Sequence, residues 1–379
     1  MNLTVSMALA TATAFLVAAL MVPALQLPAR RIGLTDDPCH RKRHNGSIPL
    51  TGGLAMFLAI LAAFGLNAGN LIDYTSLIVG MAALMAMGIA DDLLDLRAVF
   101  RLLVQILVAT LAVTWSGLEV HQLGQLFGPA FGPVGLGPFS TALTVLSIVF
   151  LINVINMTDG VDGLAGGIAL LFFALLALIA WLTGAPVSLL TMCLMMAAAT
   201  AGFLVWNMRF PFRRSASAFM GDAGSMMLGF AAAWLAIAVA TTPETSQRVY
   251  PIVIVWVLLV PSMDTIAVTL RRLSRGRSPM APDRTHLHHI MRRCGLSVTA
   301  TVGLIHLSVL GSGLAGVMAW RAGVPEWVLF ALAAGAIALY TLALLSAHRI
   351  LRWGLRRRSR LVYNTPSLRP LGKKPEAKD

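Results

Sequence analysis

The sequence predicts an all-α integral membrane protein with about eleven transmembrane helices, its N-terminus on the periplasmic or outer side and its C-terminus in the cytoplasm. Three observations carry this expectation. Of 379 residues, 58% are hydrophobic and only 12% are charged, against roughly 25% charged in a soluble domain. Apolar stretches near the roughly 20 residues that a helix needs to cross a hydrocarbon core of about 30 Å recur along almost the whole chain. The basic residues between those stretches fall overwhelmingly on alternate loops.

In chain order the stretches cover residues 5–26, 50–67, 74–91, 99–117, 138–157, 163–183, 186–205, 222–241, 249–270, 299–319 and 326–346. The first lacks the basic n-region of a cleavable signal, since Met1 to Met7 hold no Lys or Arg, and so it counts as a span. The chain reads as one polytopic membrane domain over 1–348, with no internal repeat. A basic, disordered cytoplasmic tail over 349–379 follows it.

A net charge of +13 would suit a nucleic-acid binder, so its distribution decides. Alternating the loops across eleven spans places all of the 29 Lys and Arg except Arg248 and Arg321 on one side. The positive-inside rule makes that side cytoplasmic and leaves no role for nucleic acid. Arg356, Arg357, Arg358 and Arg360 follow the last span, where they can also meet anionic lipid headgroups. Cys39, Cys193 and Cys294 sit on two cytoplasmic loops and within one span, and define no disulfide or zinc framework.

Acids are costly in or near hydrocarbon, which makes their placement informative. Of the 16 Asp and Glu, only Asp73, Glu119, Glu244 and Glu326 fall on outer loops. The others gather on cytoplasmic loops, cytoplasmic helix ends and the tail. Asp264 is the exception, more than midway through the ninth stretch, where it calls for an Asn or Arg from a neighbouring helix.

Five polar blocks follow one another on the cytoplasmic side. The first loop brings Asp36, Asp37, Arg41, Lys42, Arg43, His44, Pro49, Gly52 and Gly53 to the mouth of the second span. Asp91, Asp92 and Asp95 close the third; at helical spacing they crowd three carboxylates into little more than one turn, which favours a cation among them. Asn153, Asn156 and Asp159 repeat every third residue at the end of the fifth, ahead of Asp162 and of Gly160, Gly163, Gly166 and Gly167, which permit a sharp turn and close backbone approach to a ligand. Asn207 and the basic Arg209, Arg213 and Arg214 precede Phe219-Met220-Gly221-Asp222, where a carboxylate stands at the start of the eighth span, as a helix-terminal charge or a metal ligand. The last loop runs from Arg271 and Arg272 through Arg275 and Arg277 to Asp283-Arg284-Thr285-His286-Leu287-His288-His289. Its cations and imidazoles suit phosphate oxygens, while a zinc site of the three histidines lacks a typical second ligand pair.

These blocks, in this order over roughly residues 30–295, resemble the polyprenyl-phosphate N-acetylhexosamine-1-phosphate transferases. The resemblance implies transfer of a sugar-1-phosphate from a UDP-sugar to undecaprenyl phosphate with release of UMP. It also implies Mg²⁺, with Mn²⁺ as a substitute, and a multi-pass protein of the bacterial inner membrane with its active site on the cytoplasmic face. His286-Leu287-His288-His289 and Gly46-Ser47-Ile48-Pro49-Leu50-Thr51-Gly52-Gly53 are similar to the branch that uses UDP-N-acetylglucosamine and starts O-antigen, enterobacterial common antigen or teichoic-acid linkage units. On this resemblance Asp222, Asp91 and Asp92 are the expected metal ligands, and these three with Asp159 are the expected catalytic residues. Lys42, Arg43, His44, Asn153, Asn156, Asp162, Asn207, Arg277, His286, His288 and His289 are expected to bind substrate. Membrane lipids are expected partners, and dimerisation through the membrane helices is compatible with the sequence.

Other readings stay open at this point. The donor could be another UDP-N-acetylhexosamine. An intramembrane prenyltransferase would also use Asp-Asp-x-x-Asp with Mg²⁺, but it predicts a second Asp-rich motif in place of the Asn-rich block and the histidine loop. A transporter would carry its charges near the midplane at broken helices, not at helix ends.

Overall fold

The computed structural model describes residues 3–36, 46–66, 71–242, 249–280 and 285–363, with 347–363 as backbone alone. The chain enters as α1 (Leu3–Ile32), then pairs two short antiparallel strands, β1 (Thr35–Asp36) and β2 (Ile48–Pro49), with Thr35 opposite Pro49 and Asp36 opposite Ile48. Helices α2 (Gly52–Gly65), α3 (Thr75–Leu94), α4 (Ala98–Ser116), α5 (Ser140–Thr158), α6 (Leu164–Thr183), α7 (Val187–Asn207) and α8 (Gly221–Thr241) follow. The remainder is α9 (Pro251–Val257), α10 (Leu259–Leu273), α11 (Leu287–Arg293), α12 (Val298–Arg321) and α13 (Glu326–Tyr363).

Among the described residues nine helices are long and apolar enough to cross a membrane, or ten if α9 and α10 are taken as one. That pair, inside the stretch expected as a straight ninth span, is bent by 82°. Pro261 supplies a local cause: it has no N–H to give the Val257 carbonyl, and its ring crowds the preceding turn. The second stretch yields only the 14 residues of α2, about 21 Å at the α-helical rise and shorter than a hydrocarbon core of about 30 Å. The last helix runs on to Tyr363, so residues 349–363 of the expected disordered tail are helical, and 364–379 lie outside the described residues.

Helix α8 is the axis of the bundle. Nearly all of it is buried, with α2, α3, α5 and α6 packed around its small-residue surface. A Cβ on Gly88 of α3 would stand 2.2 Å from the Ala223 Cα and 2.3 Å from the Ala223 nitrogen, so only glycine lets α3 lie against the first turn of α8. Helix α1 lies along α7 and α2, α12 packs on α9, and α13 packs on α10. The C-terminal ends of α3, α5, α7 and α10 meet the N-terminal ends of α4, α6, α8 and α11 at one end of the bundle, around a single cavity.

Candidate active site

The cavity has a volume of about 1310 Å³. Its wall carries Asp36, Asp92, Asp159, Asp162 and Asp222 together with Arg30, Arg101, Arg209, Arg214, Arg272 and Arg292, and the imidazoles of His286, His288 and His289. Charges of both signs at one mouth suit a ligand that brings anions of its own and cations to balance them.

The approach to Asp222 is built by backbone pairing. Pro49 accepts a hydrogen bond from the Phe219 N–H at 3.0 Å, and the Gly52 and Gly53 N–H groups donate to the Phe219 and Met220 carbonyls at 2.9 and 3.2 Å. The segment between β2 and α2 thereby guides the chain into α8. Gly221 turns it with φ +72°, where a Cβ would stand 2.6 Å from Asp92 Oδ2. Asp92 then accepts the Asp222 N–H at 3.1 Å and the Ala223 N–H at 3.4 Å. A carboxylate at the end of α3 thus meets unpaired N–H groups of the first turn of α8, where a negative charge is favoured.

Asp222 itself accepts from Asn156 Nδ2 at 2.7 Å and from Arg101 Nη1 at 3.1 Å. Asn156 also donates to Ser225 Oγ at 2.9 Å. The same Arg101 nitrogen lies 2.5 Å from Asp91 Oδ2, and Asp91 Oδ1 accepts the Leu96 N–H at 2.9 Å. One guanidinium therefore keeps two carboxylates from facing each other unbalanced. Arg101 stands one turn into an apolar helix and was not among the residues expected to act. A charge inside a span is itself a functional signal, and Gln105, one turn further along the same face, repeats it. Gln105 Oε1 accepts from Asn153 Nδ2 at 2.8 Å, and both residues line the cavity.

The glycine block divides its work. Asn207 ties the turn together, with Oδ1 accepting the Gly163 N–H at 2.8 Å and Nδ2 donating to the Ala218 carbonyl at 2.9 Å. Asp162 accepts from Arg209 Nε at 2.8 Å and from the Ala216 N–H at 3.1 Å. Asp159 is exposed in the cavity wall. Gly166 and Gly167 do not approach a ligand as expected; they pack against Leu204 with Phe203 and against His306, because α6 lies tight on α7 and α12.

On the opposite wall His286 and His288 stack with ring centroids 5.8 Å apart and planes 9° from parallel. His286 Nδ1 lies 2.8 Å from Asp264 Oδ2, and Arg272 Nη2 lies 3.3 Å from His286 Nε2. His288 is buried, and its Nε2 has no hydrogen-bond partner among the described residues. Burial first, then the adjacent His289 and His286 rings, push its pKa down from 6.5 to about 3 against the pull of Asp264.

Of the expected residues, Asp92, Asn153, Asn156, Asp159, Asp162, Asn207, Asp222, His286, His288 and His289 come together in this wall. Asp91 stands behind it, with Oδ2 beside Arg101 and Oδ1 accepting the Leu96 N–H. Arg277 is exposed beyond the wall, after α10 has ended. Lys42, Arg43 and His44 lie outside the described residues, although Asp36, Ser47 and Ile48 on either side of them line the cavity.

No group of three or more His, Cys, Asp or Glu among the described residues is close enough to cage a metal ion. Asp92, whose carboxylate accepts the Asp222 N–H, and Asp222 both line the cavity. That donor set still fits Mg²⁺, which keeps several waters and is usually held by one or two carboxylates plus substrate phosphates.

Residues 74–240 match the family described as Glycosyl transferase family 4. The chain is 35% identical to the undecaprenyl-phosphate alpha-N-acetylglucosaminyl 1-phosphate transferase of Salmonella typhi, over 88% of this chain and 89% of the relative. It is 35% identical to the protein of that name from Escherichia coli (strain K12), over 89% and 90%, and 34% identical to that of Pasteurella multocida (strain Pm70), over 89% and 93%. The matched span holds Asp92, the Asn-rich block and Asp222, which line one wall of the cavity, and Asp91 behind them. Its motifs, its bundle and these relatives agree: the chain belongs to Glycosyl transferase family 4, as a membrane enzyme of the polyprenyl-phosphate N-acetylhexosamine-1-phosphate transferase kind.

Proposed function

We propose that the chain transfers N-acetylglucosamine-1-phosphate from UDP-N-acetylglucosamine to undecaprenyl phosphate, giving undecaprenyl-diphosphate-N-acetylglucosamine and UMP. The reaction occurs at the cytoplasmic face of the bacterial inner membrane and starts a cell-envelope polysaccharide such as O-antigen or enterobacterial common antigen. The observation that carries this reading is the cavity at one end of an apolar bundle, where Asp92, Asp159 and Asp222 face a ring of arginines and imidazoles. Relatives named for this transfer over nearly their whole length support it. So does the positive-inside distribution of Lys and Arg, which favours a cytoplasmic cavity end.

The nucleophile is a non-bridging oxygen of the lipid phosphate. It forms a bond to the β-phosphorus of the donor, and the bond from that phosphorus to the bridging oxygen breaks, so UMP departs with the oxygen and its electron pair. A phosphate monoester has its second pKa near about 6, so the acceptor is largely dianionic at neutral pH and requires no strong base. The main catalytic task is to gather several negative charges in one place. Arg101, Arg209, Arg272 and Arg292 neutralise phosphate oxygens from the cavity wall. When Mg²⁺ or Mn²⁺ is bound, it supplies Lewis-acid neutralisation of the diphosphate, held by Asp222 and Asp92. Asn153, Asn156, Asp159 and Asp162 shape the nucleotide side, and the buried His288 Nε2 offers a hydrogen bond to the donor.

The test is UMP release by the purified protein with undecaprenyl phosphate, Mg²⁺ and UDP-N-acetylglucosamine, beside Asp222→Asn and a panel of other UDP-sugars. Release that needs lipid, metal and Asp222 is the expected result, fastest with UDP-N-acetylglucosamine. Folded protein that releases UMP from no UDP-sugar would overturn the reading and turn attention to prenyl diphosphates.

A further inference from the structure

We propose that Asp264 is a positioning residue: it fixes the His286 ring as its Nδ1–H tautomer and, through that ring, seats the Arg272 guanidinium against the donor diphosphate. Only the last step rests on the transferase reading, because the tautomer is a property of the fold alone.

Asp264 stands on α10 just beyond the bend, and only 5% of it is exposed. A carboxylate at such depth persists when its lone pairs are met. Oδ2 lies 2.8 Å from His286 Nδ1, while Oδ1 accepts the Leu287 N–H at 2.9 Å and the Tyr340 O–H at 2.7 Å. Tyr340 comes from α13, so the histidine loop and the last helix both close on one carboxylate.

The tautomer follows from the partners. Arg272 can only donate, and its Nη2 lies 3.3 Å from His286 Nε2. Nε2 therefore accepts, and the ring proton sits on Nδ1 toward Asp264. Carboxylate, imidazole and guanidinium form a buried series that starts beside the bend and ends in the cavity wall, which includes Arg272 and His286 but not Asp264. Arg272 is held from its other side by the Pro279 carbonyl. Because His288 stacks on His286, the same anchor sets the orientation of both rings.

Asp264→Asn tests this with almost no change of shape. Asn has a single acceptor oxygen for donors that now use two. Of the three donors the imidazole can pass its proton to its other nitrogen and become an acceptor, so the oxygen stays with Leu287 and Tyr340 and the new NH₂ faces His286. The ring proton then moves to Nε2, against the Arg272 N–H groups.

The experiment is ¹⁵N NMR of histidine-labelled, full-length protein in lipid nanodiscs. The chain has 8 His, and the His286 signal is assigned by its loss in His286→Gln. Wild type should show a protonated Nδ1 and a bare Nε2, and Asp264→Asn should reverse them. The variant should lose about 10- to 100-fold in kcat/KM for the UDP-sugar, by analogy with removal of the hydrogen-bond partner of a metal-ligating histidine, with an unchanged KM for the lipid phosphate. Tyr340→Phe should keep the tautomer and lose less than about threefold. A wild-type His286 protonated at Nε2 overturns the proposal whether or not any variant folds. An Asp264→Asn enzyme of unchanged kcat/KM, or one whose loss falls equally on both substrates, overturns it too. Absence of UMP release from wild type would sink the transferase reading and leave the tautomer result standing.

Discussion

The two walls of the cavity meet the same demand in opposite ways. On the α3–α8 wall, acids are satisfied inside the protein: Arg101 bridges Asp91 and Asp222, Asn156 donates to Asp222, and Asp92 caps the first turn of α8. On the α10–α11 wall the anchor is satisfied and the tip is not, since Asp264 holds His286 while the buried His288 Nε2 finds no partner among the described residues. The difference teaches how each wall meets a ligand. On the proposed reading the first wall exchanges internal partners for substrate and metal, whereas the second holds a buried polar atom with no internal partner to give up among the described residues.

If that contrast is right, damage to the first wall removes rate and damage to the second removes donor recognition. The largest effect belongs to Asp222→Asn, which keeps the shape and the Asn156 contact but removes charge from the carboxylate pair on the cavity. UMP release should fall about 10³-fold in kcat, the upper end for loss of one electrostatic contact to developing charge, and excess Mg²⁺ should restore little. A fall confined to KM would break the comparison.

Arg101→Gln comes next. It leaves Asp91 and Asp222 without the cation between them, so mutual repulsion should push the acids apart or protonate one of them. We expect about a 10²-fold loss in kcat. Restoration by Asp91→Asn in the double variant would locate the damage in the unbalanced pair. Gly88→Ala attacks the same wall by geometry, since its Cβ would meet the Ala223 backbone. Overpacking of this kind costs about 1–3 kcal/mol, read as a lower thermal midpoint, with a shift of Asp222 that also lowers kcat.

How far the sequence reveals this arrangement depends on what each residue's job leaves behind in one dimension. The acids of α3, the Asn-rich block, Asp222 and the histidine loop are visible because polar clusters at the ends of apolar runs have no packing explanation. Arg101 is harder, since a single charge one turn inside a span marks a position without naming its partner until the fold brings it to Asp222. Asp264 is visible as an anomaly, but its partners His286, Leu287 and Tyr340 lie 22, 23 and 76 residues away in sequence. The bend at Leu258 and the shortness of α2 escape a hydropathy reading because both lie within continuous apolar runs. Lengths of apolar runs count candidate spans; they do not report where a proline breaks the ladder.

The smallest predicted effect sharpens the second wall. Burial and the flanking His286 and His289 rings hold the His288 pKa at about 3, against 6.5 for a free ring. Well above pH 6.5 the ring is neutral in both folded and unfolded protein and contributes no pH dependence. Between pH 6.5 and about 3 the unfolded ring binds a proton that the folded ring refuses, so stability falls with acid by up to about 1.4 kcal/mol per pH unit. The thermal midpoint of wild type should therefore drop between pH 6.5 and 5 more steeply than that of His288→Gln, which keeps a polar group in place but cannot titrate. At pH 7.5 the same variant should raise the KM for the UDP-sugar by about tenfold, the worth of one hydrogen bond to a charged ligand, and leave kcat within about twofold. Equal acid slopes in the two proteins would mean that the ring is not sealed, and the wall would then present a solvated imidazole instead of an atom reserved for the donor.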